Sequence, residues 1–456
     1  MPKQNRREFF QTAGAGLASA RLIGTALAPG MFLSDAVGAL KGGAQSLVIP
    51  THEHWGDIDE RIDFPNSWQV NVMEMAGHAA PVLSRDEIRK RVQSPVGTRP
   101  LRELAAGKKR VVVTFDDLTR PTPTYDVAPL VAEELRAAGV ADENILFMGS
   151  YGTHRNLEQD EVERKLGKDI PKRYPWINHN IFDNLKEVGT TTRKNRIKIN
   201  DTFMAADLKV TISGIKVHSF AGYGGGAKAI LPGVAWIDTI QYNHGTIAAK
   251  NKTTGQVKTF KNEARLDMIE AARFANVDFS VQILINGHRK VVGVYSGDIV
   301  EAHHAAVRMA NKHYRTPTLR DADIVVANGY PQNTQATHAL GWFNRSLKDG
   351  GTAVLVIQHP QGMSSWHFLN QRTSGAGGRT YWDMLEHRPE SFPKGQLLIY
   401  SQYLEKQEMV KFPKGTQFAR NWDEVTRQLM ARHKSDARVA VYPYAGIQHA
   451  EIDLDG

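Results

Sequence analysis

The sequence contains no cysteine. Disulfides, thiolate-held zinc and cysteine nucleophiles are therefore excluded, and any catalysis must come from other side chains or a bound group. Internal repeats and low-complexity tracts are absent. So are zinc-finger signatures and aromatic–basic RNA motifs, and the formal charge of +9 is not read as nucleic-acid binding. A basic chain of this kind attracts small anionic substrates. The basic run Thr191–Asn200 is read as a solvated face or a hairpin. One weakly apolar stretch, Thr12–Leu33, is interrupted by Arg21 and Pro29, which makes it a poor membrane anchor.

What precedes that stretch is a twin-arginine pattern, Arg6-Arg7 followed by Phe9-Phe10. Together with the small-residue site Val37–Ala39, residues 1–40 read as an export segment for the twin-arginine route, giving a periplasmic protein; the alternative is an amphipathic helix on a cytoplasmic protein. Twin-arginine export carries folded proteins, which suits a chain that takes up a cofactor before it leaves the cytoplasm. The remaining length is enough for two domains with sizeable cores.

Strand and helix patterns alternate from about residue 45 onward. The runs RVVVTF (Arg110–Phe115), NILFMGS (Asn144–Ser150) and LKVTISGI (Leu208–Ile215) read as buried strands. Between the first two, Val127, Leu130, Val131 and Leu135 share one helical face, and the helix stops at Gly139. Four further apolar runs after residue 320 repeat the style. The expectation is an α/β protein of two domains with mostly parallel sheets and an active site in the cleft between them. The first domain is placed at 41–300 and the second at 301–430, with 431–456 as a segment able to return to the first.

Polar residues cluster directly after the strands. Asp116, Asp117 and Arg120 follow the first, His154 the second, and His218 with Gly222, Gly224, Gly225 and Gly226 the third. In a parallel sheet these positions share the carboxyl edge, where such folds bind ligands. Histidine titrates near neutrality, so His154 and His218 are suited to exchange protons from two sides of a carbon. Arg120 is suited to clamp a carboxylate. The glycines offer backbone N–H groups to a phosphate, and the helix after Pro232-Gly233 adds its positive N-terminus. No Ser or Thr follows Lys228, so this is not a Walker loop. His244 shares a helical face with Ile237 and Ile240. His52–His54 (HEH) lacks metalloprotease spacing, and His303-His304, on a helix read as exposed, is given no role.

Four motifs in order, DDLTRPTP, YGTHR, VHSFAGYGGGAKAILPG and TIQYNH, resemble the nickel-dependent lactate racemase family. The resemblance spans about residues 90–360. It implies a racemase or epimerase acting on a small anionic 2-hydroxy acid, and a nickel pincer nucleotide tethered through Lys228. In that family's pattern His244 ligates nickel, and Asp117, Arg120, Gly224, Gly225 and Gly226 help seat nucleotide and substrate. His154 and His218 form the acid/base pair. Enzymes that build the cofactor are the implied partners. One departure stands out: where the family has a YQxxK-like segment, this chain runs GYPQNTQATHALGWF, with no lysine before Lys348 and no Tyr-Gln pair. Gln332, Asn333, Gln335 and His338 are the candidate substrate contacts instead, with Trp342 adding bulk. A substrate other than lactate is expected, with malate, an aromatic hydroxy acid and an aldonic acid open. Two competing readings are a zinc hydrolase built on His154, His218 and His244, and a non-catalytic hydroxy-acid-binding protein.

Overall fold

The runs VVVTF, ILFMG and LKVTISG are buried almost throughout and lie side by side. Strands covered on both faces read as continuous apolar runs, as these do. The computed structural model describes residues 45–363, 388–433 and 435–451. The twin-arginine segment and the site at Val37–Ala39 lie outside the described residues. Among the described residues no helix is long and apolar enough to cross a membrane.

The chain begins with an antiparallel hairpin, β1 (Gln45–Thr51) and β2 (Ile58–Phe64), then β3 (Gln69–Val72), β4 (Val111–Phe115), β5 (Ile145–Gly149) and β6 (Trp176–Asn178). A second hairpin, β7 (Leu185–Thr190) and β8 (Arg196–Asn200), carries the basic run. There follow β9 (Leu208–Gly214), the short β10 (Val217–His218), β11 (Ala221–Tyr223) and β12 (Gly255–Gln256), then β13 (Phe279–Ile285) and β14 (Val291–Gly297). The last strands are β15 (Ala322–Asn328), β16 (Leu347–Val356), β17 (Gly395–Tyr400), β18 (Gln417–Ala419) and β19 (Arg438–Tyr442).

Two six-stranded sheets dominate. The first has the order β14-β13-β9-β4-β5-β6 and is parallel except at β14. The chain runs from β4 outward through β5 to β6, then returns to β9 on the other side of β4. Strand order therefore reverses at the β4–β9 junction, the position where open α/β sheets bind ligands. The helix Ala128–Ala137 buries Leu130, Val131 and Leu135, with Val127 buried just before it, and ends before Gly139 at φ 89°.

The second sheet, β18-β17-β16-β15-β19-β3, is parallel throughout. It corrects two boundaries expected from sequence. β3 pairs with β19, and Phe64 and Trp68 pack in one core with Trp422, so β3 joins the second sheet and the separate β1–β2 hairpin packs with it rather than with the first. β19 stays in the second sheet between β15 and β3; what reaches the first core is the segment after it, through Tyr444 and Ile447. The helix Leu340–Ser346 leads directly into β16 at Leu347. Both sheets belong to one compact unit, Gly42–Gly456.

Candidate active site

A cavity of about 520 Å³ lies at the carboxyl edges of β4, β5 and β9, where Gln335 and His338 from the loop after β15 cover it. Its wall includes Asp117, Arg120, His154, His218, Lys228 and His244. Sequence patterning placed the first four on one edge; adjacency of β9, β4 and β5 makes them neighbours.

Asp117 and His154 form a pair. His154 Nδ1 lies 2.5 Å from Asp117 Oδ2, and Asp117 Oδ1 accepts from the Thr119 amide at 2.9 Å and the Thr119 hydroxyl at 2.5 Å. Burial alone would raise the Asp117 carboxyl. Attraction to His154, the hydrogen bond between them, Arg120 and Thr119 outweigh burial and hold it well below the usual carboxylate range. An ionised Asp117 fixes the ring with Nδ1–H toward the carboxylate, which assigns proton exchange with a ligand to Nε2. Asp117, expected to seat the nucleotide, is thus the orienting partner of His154. Asp116 has a different role: Lys165 pairs with it at 2.6 Å, and it accepts from Thr122 Oγ1 and Gly214 N.

His218 ends β10. Its Nδ1 lies 3.4 Å from the Ala221 amide, a weak contact that favours the Nε2–H tautomer. Burial first, then the charges of Lys228, Lys216 and Arg120, pushes its pKa well below the usual histidine value, so the ring is neutral. One imidazole is therefore backed by a carboxylate and the other surrounded by cations.

The glycine loop differs from its expected form. Gly224 N donates to Lys216 O at 2.7 Å and Gly226 N to Gln282 Oε1 at 2.8 Å, so these amides are engaged by the protein rather than offered to a phosphate. The glycines are required by packing. A Cβ at Gly225 would lie 2.4 Å from Gln282 Oε1, one at Gly226 would lie 2.6 Å from the His303 ring, and both residues have positive φ. Behind the loop, His303 Nε2 donates to Gly224 O at 3.0 Å, and Arg265 donates to the carbonyls of Ala221, Tyr223 and Gly225. The His303 helix, expected to be exposed, buries this ring. Neither residue carried any signal in the sequence beyond membership of a helix.

Lys228 follows on the 3₁₀ turn Gly226–Ala229, its ammonium nitrogen 5.3 Å from the Phe220 ring centre. Burial, then Arg265 and Arg120, lowers its pKa well below the usual lysine value. Phe220 also makes edge contacts with His218 and His244, each 4.7 Å between ring centres. His244 sits in a π-helical segment, Tyr242–Ala248, that continues the short helix Ile237–Gln241. Such segments are rare and concentrate at functional sites. This segment, with Ala248 and Ala249, reaches the cavity; the helix N-terminus expected to favour an anion does not line it.

The HEH motif is a brace. His52 bonds the Tyr403 hydroxyl at 2.6 Å, while His54 Nε2 donates to Arg120 O at 2.9 Å and its Nδ1 accepts from Arg289. Glu53 accepts from Asn333 N and Nδ2, and burial pushes its carboxyl up to about 7. His52 and His54 both have positive φ (62° and 65°), a conformation costing of order 1–3 kcal/mol each in non-glycine residues and held only when the surroundings impose it. The brace fixes the two loops that supply Arg120 and Gln335, whose side chains meet at 3.3 Å. Gln332 and Asn333 are corrected as substrate contacts: their amides bond Thr119 O and Glu53, and neither lines the cavity. Trp342 stacks on Tyr442 in the second core. Among the described residues no three His, Asp or Glu side chains gather with metal-binding spacing, so His154, His218 and His244 form no three-histidine zinc centre.

Residues 55–255 match the lactate racemase N-terminal domain family. The lactate racemase of Thermoanaerobacterium thermosaccharolyticum is 31% identical over 312 residues, covering 67% of this chain and 71% of that protein. The chain belongs to the lactate racemase family. Membership assigns it to the racemases and epimerases of hydroxy acids, a class of isomerases. The lactate racemase of Lactiplantibacillus plantarum is 26% identical over 408 residues, 85% of this chain and 95% of that one. The fold agrees as well. The lactate racemase apoprotein structure from T. thermosaccharolyticum superposes with a TM-score of 0.65 at 22% identity, covering 89% of this chain and 100% of that one. A crystal structure of a Thermotoga maritima protein gives 0.58 at 16% identity, covering 81% and 98%. The matched N-terminal segment holds Asp117, Arg120, His154, His218, Lys228 and His244; Gln335 and His338 lie outside it. Gln335 and His338 are three residues apart, the separation of the Gln and Lys in a YQxxK-like segment.

Proposed function

We propose that this protein inverts C2 of a 2-hydroxy acid other than lactate, using a nickel pincer nucleotide attached to Lys228. The observation that carries the proposal is the presence, in one cavity, of the Asp117–His154 pair, the neutral His218, a buried Lys228 amine and His244. The donor set fits the cofactor. A pincer brings its own sulfur and carbon donors, so the protein need supply only one imidazole, and His244 on its π-helical segment would be that ligand. Lys228, whose pKa burial lowers well below the usual lysine value, would form the amide-type tether. When bound, the cofactor supplies reversible hydride storage, which lets C2 pass through a planar state.

The rest is the work of the chain's own residues. Arg120 holds the substrate carboxylate, supported by Gln335 and by the His54 bond to its carbonyl. His154 takes the hydroxyl proton at Nε2 while Asp117 stabilises the imidazolium. His218 gives or takes the corresponding proton for the opposite enantiomer. The covering loop and the apolar Phe220 keep water from the reacting carbon. Export by the twin-arginine route is part of the proposal and rests on the Arg6-Arg7 pattern alone.

The substrate part of the proposal rests on His338. A 2-hydroxy acid panel, each acid supplied as one enantiomer to protein made with its cofactor supply, tests it by loss of optical rotation. Faster inversion of a larger or more polar acid than of lactate is expected. His338→Lys should raise kcat/KM for lactate about tenfold relative to that preferred acid, the scale of a single altered polar contact. Lactate as the preferred substrate of the unaltered protein would contradict this. Arg120→Lys, which loses the planar fork and its bond to Gln335, should raise KM about 10- to 100-fold with kcat less affected, matching the ~1.5–3 kcal/mol of a charge-assisted hydrogen bond. An unchanged KM would remove Arg120 as the carboxylate clamp.

A further inference from the structure

We infer that Arg265 is the residue that positions and activates Lys228: its guanidinium clamps the carbonyls of the glycine loop from behind and places an unneutralised positive charge beside the amine. The inference rests on Lys228 as the attachment point.

Arg265 lies on the helix Glu263–Phe274 and is fully buried. Nε and Nη2 donate to Ala221 O at 3.2 and 3.0 Å, Nη1 donates to Gly225 O at 2.9 Å, and Nη2 also bonds Tyr223 O. All these acceptors are neutral. Among the described residues no carboxylate pairs with it; Asp267, two positions on, is bonded instead to Thr191, Asn195 and Asn243. A buried charge without a counter-ion is costly and persists where it performs a task. Burial lowers the Arg265 pKa to about 9, which still leaves the group cationic at neutral pH.

The beneficiary is on the same loop. Lys228 is three residues beyond the clamped Gly225 and lines the cavity. The charged groups facing it are cationic, Arg265 from the helix behind and Arg120 from the loop after β4; Lys216, a second buried amine whose pKa burial also lowers, lies near it on the β9–β10 turn. The neutral His218 faces it from β10. The two cavity carboxylates are committed elsewhere, Asp116 to Lys165 and Asp117 to His154. Burial comes first and Arg265 second among the causes that lower the Lys228 pKa, which raises the share of nucleophilic free amine.

The test uses full-length protein made without the cofactor supply, treated with trace acetic anhydride across a pH series. The anhydride acylates only the unprotonated amine, releasing acetate and a proton, and peptide mass spectrometry reads the rate at each lysine. The exposed Lys252 serves as internal reference. In unaltered protein, Lys228 should reach its plateau at a lower pH than Lys252. Arg265→Gln should move the Lys228 profile about one unit to higher pH and cut its rate on the rising limb about tenfold, the effect of one pKa unit. Arg265→Lys keeps the charge and should keep the unaltered profile. The inference is overturned if Lys228 tracks Lys252 in unaltered protein, if Arg265→Gln leaves the profile unchanged, or if a folded Arg265→Lys loses the low-pH reactivity. Should Arg265→Gln fail to fold, the Arg265→Lys profile decides. Acylation reports on the amine whether or not cofactor attaches there. A cofactor found elsewhere would therefore sink the attachment reading and leave the amine profile intact.

Discussion

His154→Ala lowers the rate of C2 inversion about a thousandfold, within the range for loss of a positioned general base, and leaves nickel content unchanged. The expectation follows from the 2.5 Å bond to Asp117, which gives the ring one orientation and one exchangeable nitrogen. Asp117→Asn should approach the same loss, because a neutral amide neither stabilises the imidazolium nor enforces Nδ1–H. The two changes belong to one unit, so the double variant should be little slower than His154→Ala alone. Full additivity would show that Asp117 acts independently, as a nucleotide contact. Loss of nickel in His154→Ala would show the same of His154. The readout is racemisation by polarimetry with metal analysis on the same samples.

Lys228→Ala should abolish activity outright and release the nucleotide on gel filtration. Without its amine the cofactor keeps only the His244 bond and non-covalent contacts, and the engaged amides of Gly224 and Gly226 offer little replacement. Lys228→Arg should fail equally, since a guanidinium remains protonated and cannot form the tether. His244→Ala should retain the nucleotide mass on Lys228 but lose nickel. Activity surviving in Lys228→Ala would remove the tether from the mechanism.

The parts of this site that were legible in the sequence are those with local causes. β4, β5 and β9 announce themselves as apolar runs because both faces of a parallel sheet are covered, and their carboxyl ends carry Asp117, His154 and His218 directly. The non-local parts were illegible. β3 joins β19 across more than 360 residues, and Glu53 reaches Asn333 across 280, contacts that no periodicity encodes. The glycine loop was visible as unusual, yet its purpose was misjudged: sequence shows that a Cβ is absent, not whether a ligand or Gln282 and His303 fill the space. Arg265 was missed for a related reason. A charged residue in an amphipathic helix reads as surface, and only the fold reveals that this one is enclosed beneath three carbonyls.

The central claim is that Lys228 carries the group that His154 and His218 serve. Protein co-produced with the cofactor-making enzymes and shown to racemise a 2-hydroxy acid should be divided for two determinations: metal content, and the mass of the peptide containing Lys228. The account predicts about one nickel per chain and an added nucleotide mass on Lys228. Active protein with an unmodified Lys228 and no nickel would contradict it.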